Sequence, residues 1–168
     1  MKKISLIILS VLFTLLAYTQ DIARNNVYLE IGGPAYLYSV NYEYLLSDNK
    51  DMNFPIRIGV FYNFRSSFDI AIPLSISIIK KMKSDSKIHF EIKASTTIVF
   101  HRRYSSLGAA HGGYNYTTHQ YIPSLSFGIR RQPTNGGFYY HINMQISYDK
   151  ELAEEIIIWS ALGIGKTF

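Results

Sequence analysis

The sequence predicts an all-β chain: a short leader followed by an eight-stranded antiparallel up-and-down transmembrane β-barrel. Three observations carry that prediction. Apolar residues alternate with small polar ones over most of residues 27–168, the period of a strand with two different faces. After residue 20 no apolar run approaches the ~20 residues that a spanning helix needs. Aromatics make up 15% of the chain, 14 Tyr and 10 Phe against one Trp, and they gather toward the ends of the alternating segments.

Composition excludes several classes. At 168 residues the chain is one domain's length. With 48% hydrophobic and 17% charged residues it is no disordered or acidic-tail protein. The absence of cysteine removes a disulfide scaffold, a cysteine-based zinc site, a thiol nucleophile and a cysteine-borne lipid anchor.

Residues 1–19 read as a secretory signal peptide, with Lys2 and Lys3 ahead of an apolar run from Ile4 to Leu16 and then Ala17-Tyr18-Thr19. The run is too short to span a bilayer as a helix, so cleavage is expected between Thr19 and Gln20, leaving 20–168 as the barrel domain. Losing Lys2 and Lys3 lowers the formal charge from +5 to +3. No basic stripe survives to suggest nucleic acid as a partner.

The strands follow in order. Residues 27–33 form the first. In 36–46 the even positions are Tyr36, Tyr38, Val40, Tyr42, Tyr44 and Leu46, against Ser39, Asn41 and Glu43. In 54–64 the apolar face is Phe54, Ile56, Ile58, Val60, Tyr62 and Phe64, opposite Arg57 and Gly59. Residues 70–79 set Ile70, Ile72, Leu74, Ile76 and Ile78 against Ala71, Pro73, Ser75 and Ser77. Residues 88–100, 121–130, 138–148 and 156–168 repeat the pattern. Polar breakers at 47–53, 80–87 and 132–137 separate the strands at one end, and Gly33-Pro34, 65–69, 101–119 and 149–155 do so at the other.

This alternation suits a soluble barrel or its inverse, a membrane barrel with apolar residues on lipid and polar ones in the lumen. The polar face decides between them. It is Ser, Thr, Gly, Ala and Asn with sparse charge, whereas a water-facing exterior would carry many more Lys and Glu. Strands of 10–13 residues also match a tilted membrane crossing.

With these features the chain resembles a small outer-membrane β-barrel of the OmpA/OmpX type. The resemblance rests on the leader, the eight alternating strands and the segment Leu162-Gly163-Ile164-Gly165-Lys166-Thr167-Phe168. In that family such a segment, ending in Phe with apolar residues at alternate positions, is read by the barrel-assembly machinery. Leu162, Ile164 and Phe168 match, and Lys166 departs from the usual apolar residue. The resemblance implies location in the outer membrane among phospholipid and lipopolysaccharide, with both mature termini in the periplasm. Loop 101–119 then faces outside and is the expected contact surface for an extracellular partner.

Candidate chemistry is sparse. Gly163-Ile164-Gly165-Lys166-Thr167 imitates the tail of a phosphate-binding loop but lacks the helix that must follow it. His101, His111 and His119 share one loop without metal-ligand spacing, so no metal or cofactor is expected. His141-Ile142-Asn143 is the nearest approach to the His-x-Ser pair of a lipid A deacylase, with Asn in the nucleophile's place. The most informative constellation is charge on inward parity: Glu30, Glu43 and Glu91 with Arg57, Lys93 and Arg130. Buried charges persist only when paired. Turn arithmetic sets Glu43 opposite Arg57 and brings Glu91 close to Arg130, with Lys93 one inward position along. The expectation is therefore a non-enzymatic barrel with a charge-plugged lumen and an envelope-structural or surface-interaction role. A lipid-modifying enzyme and a narrow channel are the alternatives.

Overall fold

A computed structural model of the chain describes residues 23–35, 37–47, 52–62, 70–83, 86–104, 115–149 and 155–168. The leader at 1–19, Tyr36, Phe64, the tip of the 101–119 segment and His111 within it lie outside the described residues. The strands are β1 (Asn25–Ile31), β2 (Tyr38–Leu45), β3 (Met52–Asn53 and Pro55–Tyr62, broken at Phe54) and β4 (Ile70–Lys81). They continue as β5 (Ile88–Tyr104), β6 (Asn115–Arg131), β7 (Gly137–Asp149) and β8 (Glu155–Thr167). The two pieces of β3 are one strand because both pair with β4 in a single register, Met52↔Lys80 and Ile56↔Ile76.

Each strand pairs antiparallel with the next, and β8 pairs with β1 from Asn26↔Thr167 to Ile31↔Leu162. That last ladder closes the sheet and removes its edges. Asn25 and Phe168 extend it by exchanging both backbone hydrogen bonds, Asn25 N to Phe168 O at 2.9 Å and Phe168 N to Asn25 O at 2.8 Å.

Strand alternation sorts side chains as expected for an inverted barrel. Outward positions are exposed and apolar, including Val40, Ile58, Ile76, Leu125 and Ile142. Inward positions are buried and polar, including Ser39, Asn41, Ser77, Ser126 and Gln145. An eight-stranded wall encloses just enough room for its own side chains. At the loop end that space is filled by an apolar cluster of Ala35, Phe61 and Ala71, with the rings of Tyr38 and Phe61 edge-on at 5.0 Å. The buried segment Gly33-Pro34-Ala35 folds into the mouth, where the Thr97 hydroxyl donates to the Pro34 carbonyl at 2.9 Å.

Two expectations need correction. The 101–119 segment is not all loop, because β5 and β6 stay paired out to Tyr104↔Asn115. Their ladder outruns both neighbours, since β4–β5 pairing ends at Ile70↔Phe100 and β6–β7 pairing at Ser124↔Ser147. The result is a two-stranded ribbon standing beyond the barrel wall. Pro73, inside β4, causes no bulge, since Ile58↔Leu74 and Phe61↔Ala71 hold one register on either side of it, but it does distort the pairing locally. The ladder skips Gly59 and Val60 opposite it, and Gly59 makes room for the Pro73 ring, from which a Cβ there would lie 2.8 Å. Pro123 marks where β6 parts from β7, while it remains the register partner of Thr96 on β5. Finally, Glu43 and Arg57 are register partners, yet the Arg57 guanidinium reaches past Glu43 to Glu30 on β1.

Candidate functional site

Inward parity on five strands brings the charged residues into one buried network. Glu30 on β1 accepts from Arg57 Nη1 on β3 through both oxygens, at 3.0 and 2.9 Å, and from His141 on β7 at 2.9 Å. Arg57 Nη1 also donates to the Tyr28 hydroxyl at 3.1 Å. Nearer the turn end, Arg130 on β6 grips two carboxylates. It contacts Glu43 through both of its terminal nitrogens and Glu91 through Nη1 at 2.9 Å. Asn26 donates to Glu43 at 2.7 Å, Asn143 donates to Glu91 at 3.2 Å, and Gln132 accepts from Arg130 at 2.6 Å.

Lys93 joins the two halves, with its ammonium 3.7 Å from Glu91 and 3.8 Å from Glu30. Every one of these six side chains is essentially inaccessible to solvent. Three carboxylates face three cations, so the described network is neutral without a bound ion. Neutrality and close pairing of opposite charges are what allow ions to persist in a low-dielectric interior.

Sequence reasoning missed the aromatic half of the site. His141 Nε2 meets Glu30 while Nδ1 lies 2.7 Å from the Tyr139 hydroxyl. A neutral ring donating from Nε2 and accepting at Nδ1 satisfies both contacts. The rings of Tyr28 and Tyr139 pack at a 37° tilt with centroids 4.9 Å apart, and the Arg130 guanidinium lies 4.9 Å above Tyr139. The missed signal was the inward parity of Tyr28, Tyr139 and His141, together with the glycines opposite them.

Those glycines give the pseudo-phosphate motif its role. Tyr28 and Tyr139 both pair with Gly165, and His141 with Gly163. A Cβ on Gly163 would fall 2.3 Å from the His141 ring, and one on Gly165 would fall 2.1 Å from the Val27 carbonyl oxygen. β8 is therefore bare at 163 and 165 on its inner face, so that bulky rings from its neighbours can cross the lumen. Gly163→Ala is expected to displace His141 and destabilise the barrel by about 1–3 kcal/mol. Adding His141→Ala should recover part of that loss in a urea titration of the vesicle-inserted protein. A double variant as unstable as the sum of the singles contradicts the steric account.

The site offers little beyond packing and charge. Among the described residues no three His, Asp or Glu side chains converge as a metal set. His141, the residue nearest to a hydrolase motif, points into the lumen, whereas a lipid substrate lies outside the wall.

No family model and no curated protein matches the chain in sequence. Several solved structures are similar to it. One is the crystal structure of the N-terminal β-barrel domain of Pseudomonas aeruginosa OprF, at a TM-score of 0.56 and 14% identity, covering 89% of this chain and 98% of that one. The fold is that of a small outer-membrane barrel of the OmpA/OmpX type. Neisserial surface protein A aligns over 87% of this chain and 93% of its own, at 10% identity and a TM-score of 0.48. At these identities the likeness speaks of the fold, and the lumenal network is a property of this chain's own residues.

Proposed function

We propose that the chain is a non-enzymatic, integral outer-membrane protein with a sealed lumen, serving envelope structure or surface interaction. The observation that carries this reading is the unbroken buried network of Glu30, Arg57, Lys93, Glu91, Arg130 and Glu43 across the barrel. The Gly33-Pro34-Ala35 segment over the outer mouth supports it. On this reading residues 1–19 are removed on export and both mature termini face the periplasm. Phospholipid and lipopolysaccharide surround the apolar wall. Leu162, Ile164 and Phe168 present the segment that the barrel-assembly machinery engages. The 101–119 segment, which begins and ends in the β5–β6 ribbon, carries the surface offered to an extracellular partner.

Planar-bilayer recording of the refolded protein tests the seal. A sealed lumen gives no steady conductance at moderate voltage. A stable open level in the unmodified protein rejects the plug and favours a narrow channel.

A further inference from the structure

The turn end of the barrel gathers cations that the lumenal network does not use. The segment from Lys80 to Lys87 contains four lysines and Asp85 as its one acidic residue. Lys80, Lys83 and Lys87 are exposed. Met82 N still bonds to Ile88 O at 3.2 Å, so Lys83 and Lys87 leave the two strands side by side. Arg131 joins them, because it is the register partner of Ile88 and its neighbour Gln132 donates to the Lys87 carbonyl at 2.8 Å.

The same rim continues outward around the wall. Arg131 Nη1 hydrogen-bonds to the Phe138 carbonyl, and Phe138 is in turn the register partner of Lys166. Arg131 and Lys166 thus flank the Phe138 ring, which is 59% exposed on the lipid-facing side. Among the described residues none of these cations has a carboxylate within ion-pair distance, every such pair lying in the lumen. Lys87 and Arg131 stand at the ends of adjacent strands and Lys166 two strands further round, so the cations form a band along the rim whose positive charge anionic headgroups would offset. Lys166 also gains a reason: its position breaks the apolar pattern of β8 at the level where an aliphatic stem can lie along the apolar belt while the ammonium reaches polar headgroups.

We propose that this rim, centred on Lys83, Lys87, Arg131 and Lys166 beside Phe138, binds the phosphate of anionic phospholipid headgroups in the leaflet at the turn end. A lipid is the favoured source of phosphate because Lys166 and Phe138 face outward into the bilayer, where a headgroup is held and a soluble ion is not. The proposal stands apart from the sealed lumen, since lipid preference and conductance are separate measurements.

The test uses the folded chain in phosphatidylcholine vesicles carrying a trace of spin-labelled phosphatidylglycerol or spin-labelled phosphatidylcholine. The immobilised spectral component should favour phosphatidylglycerol by about fivefold or more, and rising salt should weaken the preference. The variant Lys83→Gln/Lys87→Gln/Arg131→Gln/Lys166→Gln should bring the preference to near unity. Should that variant fail to fold, Lys83→Gln/Lys87→Gln alters only the exposed turn and should cut the preference by about half or more. No preference in the unmodified chain, or full preference in a folded variant, overturns the proposal. A parallel arm adds inorganic phosphate in place of chloride at constant ionic strength. An unchanged preference supports the lipid, and its loss reassigns the rim to soluble anions and also overturns the proposal.

Discussion

Arg130→Ala should destabilise the barrel by about 3–5 kcal/mol, the largest expected effect of any single lumenal substitution. Arg130 is fully buried and is the shared partner of Glu43 and Glu91. Without it Glu43 keeps the Asn26 amide, and Glu91 keeps Asn143 and a Lys93 ammonium 3.7 Å away. The network then holds three carboxylates against two cations in a dry interior. Arg57→Ala should cost less, because Glu30 retains His141 at 2.9 Å and Lys93 at 3.8 Å. Arg130→Ala/Glu43→Ala should be more stable than Arg130→Ala alone, since it restores charge balance. Urea titration in lipid vesicles, followed by the fluorescence of the single tryptophan, Trp159, measures all four proteins. A loss below about 1 kcal/mol for Arg130→Ala would falsify the description of the site as dry and paired.

Deleting Phe168 should largely abolish assembly into the outer membrane. Two contributions add. The deletion takes away the pair of backbone hydrogen bonds that ties Asn25 to Phe168 at the end of the closing seam. It also removes the side chain that completes the outward row Leu162, Ile164, Lys166 and Phe168 on β8. Phe168→Ala separates these contributions by keeping the backbone bonds and losing the ring. Heat-modifiable migration of the membrane fraction on gels reads folded protein directly. If recognition by the assembly machinery dominates, Phe168→Ala fails as severely as the deletion. If the seam dominates, Phe168→Ala assembles and only the deletion fails. Normal assembly of both variants rules out any role for Phe168 in assembly.

The strands, their faces and their register were legible because each is a local property. Period two fixes which way Glu43 and Arg57 point, and one turn fixes that they are opposite one another. Which charge pairs with which was not legible, because the lumen is narrow enough for long side chains to cross it. Arg57 bypasses its register partner for Glu30, and Arg130 reaches Glu43, 87 positions away in sequence. Only barrel closure decides such contacts. The role of Tyr28, Tyr139 and His141 was half-visible. Their inward parity could be read, but the space for three rings comes from Gly163 and Gly165 on another strand. The ribbon beyond the wall was hidden for a different reason. Past Phe100 the residues leave the lipid-facing alternation, yet β5 still finds its backbone partner in β6.

The seam between β1 and β8 has a consequence for the order of folding. Its contacts span nearly the whole chain, the Thr167–Asn26 hydrogen bond joining residues 141 positions apart. β1 can meet β2 early, but its other edge stays bare until residues 162–167 have been made and delivered. Contacts of such sequence separation form slowly, and a bare apolar strand edge is a template for aggregation in the meantime. On the proposed outer-membrane reading the chain must cross the aqueous space before the membrane with this edge still open, and wall closure is a late event that fixes β1, β8 and the rings between them together.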